Sequence, residues 1–301
     1  MTPGWWRALP DGKPVSALGF GCSSLWAKPG FDEGRAQGVL AAAGEGGINH
    51  FDTAPSYGGG TGERRLGEYL RGRDASRFVV STKVGSNLID GAVVRGFDPV
   101  LAERSFTGSL ERLGLERVDI LYLHGPARSD LTDALFGWLD RLKAQGRIGL
   151  SGMESGDPAL FDGFERSPLD VAMLHYNVGD PSTGARIAAL AAAGKTVMSG
   201  TVLAQGKFAL RTFLPRDRRS LWYLLRQAKN DPWFWWRGPR LARALAATGR
   251  TPHDAAIGFV VGHPAITSGL FGSTDPGHVL ANAAAGHHPL DARARSALGG
   301  A

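Results

Sequence analysis

What most limits the folds open to this chain is a rhythm. Short, almost uniformly apolar runs recur between longer helical patterns. "VSALGFG" (15–21), "GGINHFDTA" (46–54), "RFVVSTKVG" (77–85) and "VDILYLHGP" (118–126) are the first four. "GRIGLSG" (146–152), "LDVAMLHYN" (169–177), "GKTVMSGTV" (194–202) and "ITSGLFGS" (266–273) complete the set. Strands that are apolar on both faces suit a parallel sheet covered on both sides. The stretches between them, such as "DEGRAQGVLAAAGEG" and "SDLTDALFGWLDRLKAQG", read as helices, several ending at glycine. Eight strands with intervening helices in 301 residues is the arithmetic of a single (β/α)8 TIM barrel spanning 1–301. A doubly wound sheet is the alternative, but no Rossmann fingerprint supports it. The nearest match, "GFGCSS" (19–24), is followed by "LWAKPG" where a helix would have to open. Two additions to the barrel are expected: an N-terminal hairpin turning at Asp11-Gly12, and a long loop with extra helices over 206–250, after the seventh strand.

Composition removes several function classes. Cys22 is the single cysteine, so the chain can form neither an internal disulfide nor a thiolate metal cluster, and no metal site is expected. No secretory signal and no apolar run of about 18 residues is present, so a soluble, cytoplasmic protein without membrane contact is expected. The net charge is +6, but the basic residues are scattered, with "RDRRS" (216–220) the densest run. No interleaved aromatics accompany it, so a nucleic-acid partner is not expected; an anionic cofactor would suit the balance.

In a barrel, reacting groups gather at the C-terminal ends of the strands. Asp52 ends the second strand, with Tyr57 in the loop behind it. Lys83 sits late in the third strand and His124 ends the fourth. Neighbouring strands lie roughly 4.8 Å apart, so these groups can meet. Each residue alone has a plain structural reading: a turn aspartate, a packed tyrosine, a surface lysine, a histidine bound to a loop carbonyl. Together they suit proton transfer to a carbonyl oxygen. A phenol near pKa 10 is a poor acid at neutral pH. An ammonium about 4 Å away, at an effective dielectric near 20, favours phenolate by on the order of 4 kcal/mol, roughly three pKa units. Asp52 would offset the cost of burying Lys83, and His124 would orient the substrate oxygen.

The motifs "GINHFDTAPSYGGGTGERRLGEYL" (47–70), "STKVG" (81–85), "LYLHGP" (121–126) and "GRIGLSG" resemble the aldo/keto reductase superfamily, in order and spacing, over about residues 14 to 285. That resemblance implies a (β/α)8 barrel that binds NADP(H), or NAD(H), without a Rossmann domain. It implies Tyr57 as general acid/base, Lys83 lowering its pKa, Asp52 paired with Lys83, and His124 positioning a small carbonyl or alcohol substrate for hydride transfer. Glu63 and Gly67 match positions of the family that are read here as scaffold.

The resemblance also assigns a cofactor wall, and there this chain departs from the pattern. A Ser-Asn pair follows the fifth strand in many members; the match here is Ser151-Gly152. Met173 stands where a glutamine is usual, and Gly200 at or beside the position of a stacking aromatic. Leu203 and Lys207 follow in the same loop, Lys207 as a pyrophosphate contact or a plain surface charge. Ser273, Thr274 and Asn282 match the segment that wraps the adenosine phosphate, but Gly272 and His278 stand where lysine or arginine often clamps a 2′-phosphate. Trp26, Trp233 and Trp235 are candidates for an aromatic substrate wall, or for a plug packing the long loop on the barrel. Three functions remain open on these residues: an oxidoreductase with a relaxed cofactor site, a non-redox enzyme using Tyr57 for elimination or cyclisation, and a non-catalytic regulatory barrel.

Overall fold

The structure is a computed structural model and describes residues 4–204, 221–222, 225 and 234–299. The eight expected strands all form: β3 (Leu18–Gly21), β4 (His50–Asp52), β5 (Val79–Val84), β8 (Val118–His124), β9 (Ile148–Ser155), β10 (Val171–His175), β11 (Thr196–Gly200) and β12 (Ser268–Phe271). They close into one parallel barrel in chain order, β12 pairing β3 and β9 pairing β10. Helices lie outside it: α1 (Glu33–Glu45), α2 (Thr61–Leu70), α3 (Pro99–Leu113), α4 (Asp133–Ala144), α5 (Gly184–Ala192), α6 (Phe234–Ala246), α7 (Pro252–Val261), α8 (Pro276–Gly286) and α9 (Ala292–Gly299). This is the (β/α)8 barrel that the strand rhythm predicts.

Apolar side chains sort into two layers because successive strand residues point to opposite faces. Inward residues such as Val79, Ile120, Tyr122, Val171, Met198 and Leu270 fill the barrel, while outward ones pack against the helices. The expected N-terminal hairpin, β1 (Trp6–Ala8) with β2 (Pro14–Ser16), closes the end at which the strands begin. Its Leu9 and Val15 join the interior cluster. Asn49, just before β4, donates to the Pro14 carbonyl at 2.9 Å, and Arg7 donates to the carbonyls of Val261 and Ile266. The opposite end, where the strands finish, is left open.

Two features are absent from the sequence reading. A second hairpin, β6 (Ser86–Ile89) with β7 (Ala92–Arg95), rises beside the open end, turning on Asp90 and Gly91, both at positive φ. Helix α7 carries no amphipathic stripe because seven of its ten residues are buried. Much of the segment expected as a long loop falls outside the described residues, although α6 lies within it.

Candidate active site

The alternation of β5 supplies the centre of the site. Ser81 and Lys83 point into the barrel, whereas Thr82 between them points out to α2, donating to Glu63 at 2.7 Å. Lys83 is 1% exposed, and its Nζ lies 2.5 Å from Asp52 Oδ2 and 2.9 Å from the Thr53 carbonyl. Ser81 donates to the other oxygen of Asp52 at 2.7 Å. Behind Ser81, His50 Nδ1 lies 3.0 Å from Ser268 Oγ; complete burial pushes this imidazole down to about 4, so it stays neutral. The Asp52 carboxylate is thus gripped from two sides and cannot swing.

Tyr57 reaches this pair from the loop after β4. It stands beside Lys83, whose Nζ is 5.1 Å from the ring centroid. The loop passes so close to the Ala27 carbonyl that a Cβ on Gly58 would sit 1.8 Å from its oxygen, at a φ of +61°; only glycine fits. Glu63, fully buried, ties the following helix to β5 and α3 through Thr82 and, at 2.7 Å, Arg112. A Cβ on Gly67 would lie 2.5 Å from the Arg112 carbonyl oxygen, so glycine there permits close helix packing. The rings of His124 and Tyr57 stand edge to face, 6.0 Å apart between centroids. Asp52, Tyr57, Lys83 and His124 therefore meet, as the strand-end criterion predicts.

The electrostatics differ from the expectation in one respect. Burial pushes the Tyr57 phenol above its ordinary value; Lys83 opposes this, but Asp52 and Glu154 reinforce it. The net direction is up, not down. Lys83 is itself held above its ordinary value, because Asp52, Tyr57 and Glu154 outweigh the desolvation that would lower it. His124 is lowered to about 4 by burial and by the Lys83 charge, so it is a neutral imidazole at physiological pH.

The fifth strand requires a correction. Ser151 and Gly152 do not reach the open end. Ser151 is buried and bonds backward through its amide, at 2.8 Å, to Asp170 ahead of β10. Gly152 pairs with Val171 and Tyr122, and a Cβ there would press on the Val171 oxygen at 2.7 Å and the Tyr122 ring at 2.8 Å. The strand continues three residues further, and Glu154 is level with His124 and Met173. Glu154 is the functional candidate that the sequence reading missed. It stands at a strand end, the same signal that singles out Asp52. Its Oε2 is 3.4 Å from His124 Nε2 and its Oε1 is 3.6 Å from His175 Nε2. Burial would raise this carboxyl, but His175, Lys83 and His124 hold it below its ordinary range.

A cavity of about 730 Å³ extends from this cluster across the barrel mouth. Asp52, Tyr57, Lys83, Glu154, Met173 and His175 line its inner part; Gly200, Leu203, Ser273 and Thr274 line its outer part. Two lining residues, Ser24 and Thr201, hold left-handed backbones at φ 58° and 60° without being glycine, a strain that clusters at functional sites. Trp26 lines the cavity but is 1% exposed, fixed from behind by a 3.2 Å bond to the Ala36 carbonyl. His278 is exposed on the first turn of α8 and Asn282 is buried one turn later; neither lines the cavity. Lys207 and Trp233 lie outside the described residues, as does the side chain of Trp235.

A carboxylate–ammonium–phenol cluster at the mouth of this barrel can be compared with known proteins. The aldo/keto reductase family model matches residues 17–298. The chain belongs to the aldo/keto reductase family. It is 32% identical to D-threo-aldose 1-dehydrogenase of Pseudomonas sp, over 92% of this chain and 91% of that protein. L-galactose dehydrogenase of Arabidopsis thaliana is 34% identical over 66% of each. Among solved structures, the holo form of aldo-keto reductase AKR11C1 from Bacillus halodurans superposes with a TM-score of 0.81 at 25% identity, covering 98% of this chain and 95% of that one. Membership makes this chain an oxidoreductase of a family that uses NAD(P)H on small carbonyl or alcohol substrates. Among the described residues no helix is long and apolar enough to cross a membrane.

Proposed function

We propose that this aldo/keto reductase moves a hydride between a nicotinamide dinucleotide and a small carbonyl or alcohol, with Tyr57 as the general acid/base. The observation that supports this most is the placement of Tyr57 beside a buried Lys83 that is itself locked to Asp52. The cavity suits the cofactor at both ends. Its inner part holds the proton-transfer cluster, and its outer part reaches Ser273 and Thr274 beside the N-terminus of α8, a favourable place for phosphate. Bound there, a nicotinamide dinucleotide would supply the hydride.

The remaining chemistry belongs to the side chains. With its pKa raised, Tyr57 keeps its proton at neutral pH and can donate it to a carbonyl oxygen. Lys83 stays charged and fixes the phenol's position. His124, neutral, offers a hydrogen bond without adding a charge. The walls argue against strict NADP(H) dependence. Asp275 caps α8, and Arg35 is bound to it at 3.0 Å. A 2′-phosphate would therefore meet a carboxylate, so NAD(H) is accepted alongside NADP(H). The aldose-named relatives and the hydroxyls of Ser23, Ser24 and Thr201 along the cavity support a polyhydroxylated, sugar-like substrate.

Met173 and Gly200 provide no amide or aromatic grip on a nicotinamide ring, which favours one competing reading, proton chemistry without hydride transfer. Titration with NADH and NADPH, followed by tryptophan quenching, separates the two. Binding of either below about millimolar is expected; failure of both removes the redox reading. Tyr57→Phe should lower turnover about 10²- to 10⁴-fold while cofactor affinity stays unchanged. Retained turnover would take Tyr57 out of the mechanism.

A further inference from the structure

The charges lining the cavity do not sum to zero. Its lining carries five titratable side chains: Asp52, Tyr57, Lys83, Glu154 and His175. Asp52 and Lys83 form a contact pair and largely cancel. Tyr57 is a neutral phenol, and His124 beside the cavity is a neutral imidazole. His175, the most open of the group with 43% of its side chain exposed, stands 3.6 Å from Glu154. What remains is the Glu154 carboxylate, only 15% exposed and ionised at neutral pH. Arg95, on the hairpin beside the open end, is engaged with the Gly125 carbonyl and Ser86.

A hydride can pass only to or from the carbon whose oxygen Tyr57 touches, so the nicotinamide ring must stand in the chamber that Tyr57, Lys83 and Glu154 share. Its charge differs by one between the two redox forms: the oxidised ring is a cation, the reduced ring is neutral. We propose that Glu154 is a specificity-determining residue that favours the cationic, oxidised nicotinamide over the reduced one, and so raises the share of this chain that stands loaded with the oxidised form. The inference rests on the nicotinamide reading above. Loaded with the oxidised form, the enzyme oxidises an alcohol. The alcohol's C–H bond breaks with its electron pair passing to the oxidised ring, the O–H proton passes through Tyr57 to solvent, and the products are a carbonyl compound and the reduced ring. Glu154 takes no part in bond making. Its field acts on the ring's charge, at a low effective dielectric because the carboxylate is mostly buried.

Two variants test this. Glu154→Gln keeps the size and hydrogen-bonding capacity but removes the charge; Glu154→Ala removes both. Dissociation constants for NAD+, NADH, NADP+ and NADPH are measured at pH 7 by calorimetry on the intact chain. In both variants the affinity for the oxidised forms should fall about tenfold, with the reduced forms changing less than about twofold. If oxidised and reduced affinities move together, or if alanine alone has an effect, Glu154 merely holds His124 and His175 in place and the inference is overturned. If the wild-type protein binds none of the four, the nicotinamide reading itself fails, a result distinct from an unchanged ratio.

Discussion

Asp52→Asn isolates the electrostatic core of the site. The change is nearly isosteric and leaves the Ser81 hydrogen bond available, so its main effect is to remove one charge. Asp52 and Lys83 are 4% and 1% exposed, and their contact is 2.5 Å. At an effective dielectric of about 20, two unit charges at that distance attract by about 6–7 kcal/mol. The substituted amide and the Thr53 carbonyl recover part of this. A loss of about 3–5 kcal/mol in unfolding free energy at pH 7 is expected, as for buried pairs in general when one partner is removed.

The pH dependence gives a sharper test. In the wild type Lys83 is held above its ordinary value, so its stabilising contribution is fully present below about pH 10.4 and is lost only as pH rises through the folded-state value. In the variant, burial dominates and the folded-state value falls below 10.4. The unfolded variant then binds more protons than the folded one, and its stability rises with pH by up to about 1.4 kcal/mol per unit. Urea unfolding of both proteins at pH 7 and pH 9, followed by far-ultraviolet circular dichroism, measures the gap. It should be large at pH 7 and clearly smaller at pH 9. A gap below about 1 kcal/mol at pH 7, or one unchanged at pH 9, would refute a buried ammonium sustained by Asp52.

Two further outcomes follow from the same geometry. Because Tyr57 is raised above its ordinary value near 10, carbonyl reduction should hold steady through neutral pH and fall only in strongly alkaline buffer. Oxidation, which needs the phenolate, should climb with pH, and Glu154→Gln should move the inflection towards acid by removing a negative neighbour. A pH–rate profile in each direction checks this, and an inflection near neutrality would contradict it. Gly152→Ala places a methyl against the Val171 oxygen and the Tyr122 ring, and should destabilise the barrel by about 1–3 kcal/mol in thermal unfolding. An unchanged melting temperature would show that Gly152 does not set the spacing of the fifth strand.

The barrel was legible because its strands are apolar on both faces, a pattern that few architectures besides a covered parallel sheet produce. The cluster of Asp52, Tyr57, Lys83 and His124 was legible because each residue interrupts or follows a strand at its C-terminal end. Glu154 satisfies the same criterion but was passed over. "GLSGMES" (149–155) offers serine twice, at Ser151 and Ser155, and nothing local says where the strand leaves the barrel. Only the pairing of Glu154 with His124 and Met173 fixes that point. The second hairpin announces itself with Asp90-Gly91 between apolar residues, the same dipeptide that marks the first hairpin at Asp11-Gly12. Its flanks are too short to stand out beside β5.

The direction of the Tyr57 shift was beyond any pairwise reading, and the reason bears on how the site works. Taken alone, Lys83 would stabilise phenolate strongly. But an ammonium in contact with a carboxylate presents the phenol with something closer to a dipole than a charge, and burial then decides the sign. The resting site thus holds its proton firmly and is set to donate it. For the oxidation direction Tyr57 must first lose that proton, which a cation entering the chamber would assist by cancelling the field of Glu154. On this account Glu154 couples the charge of the incoming ring to the readiness of the base, and the two should respond together when its carboxylate is removed.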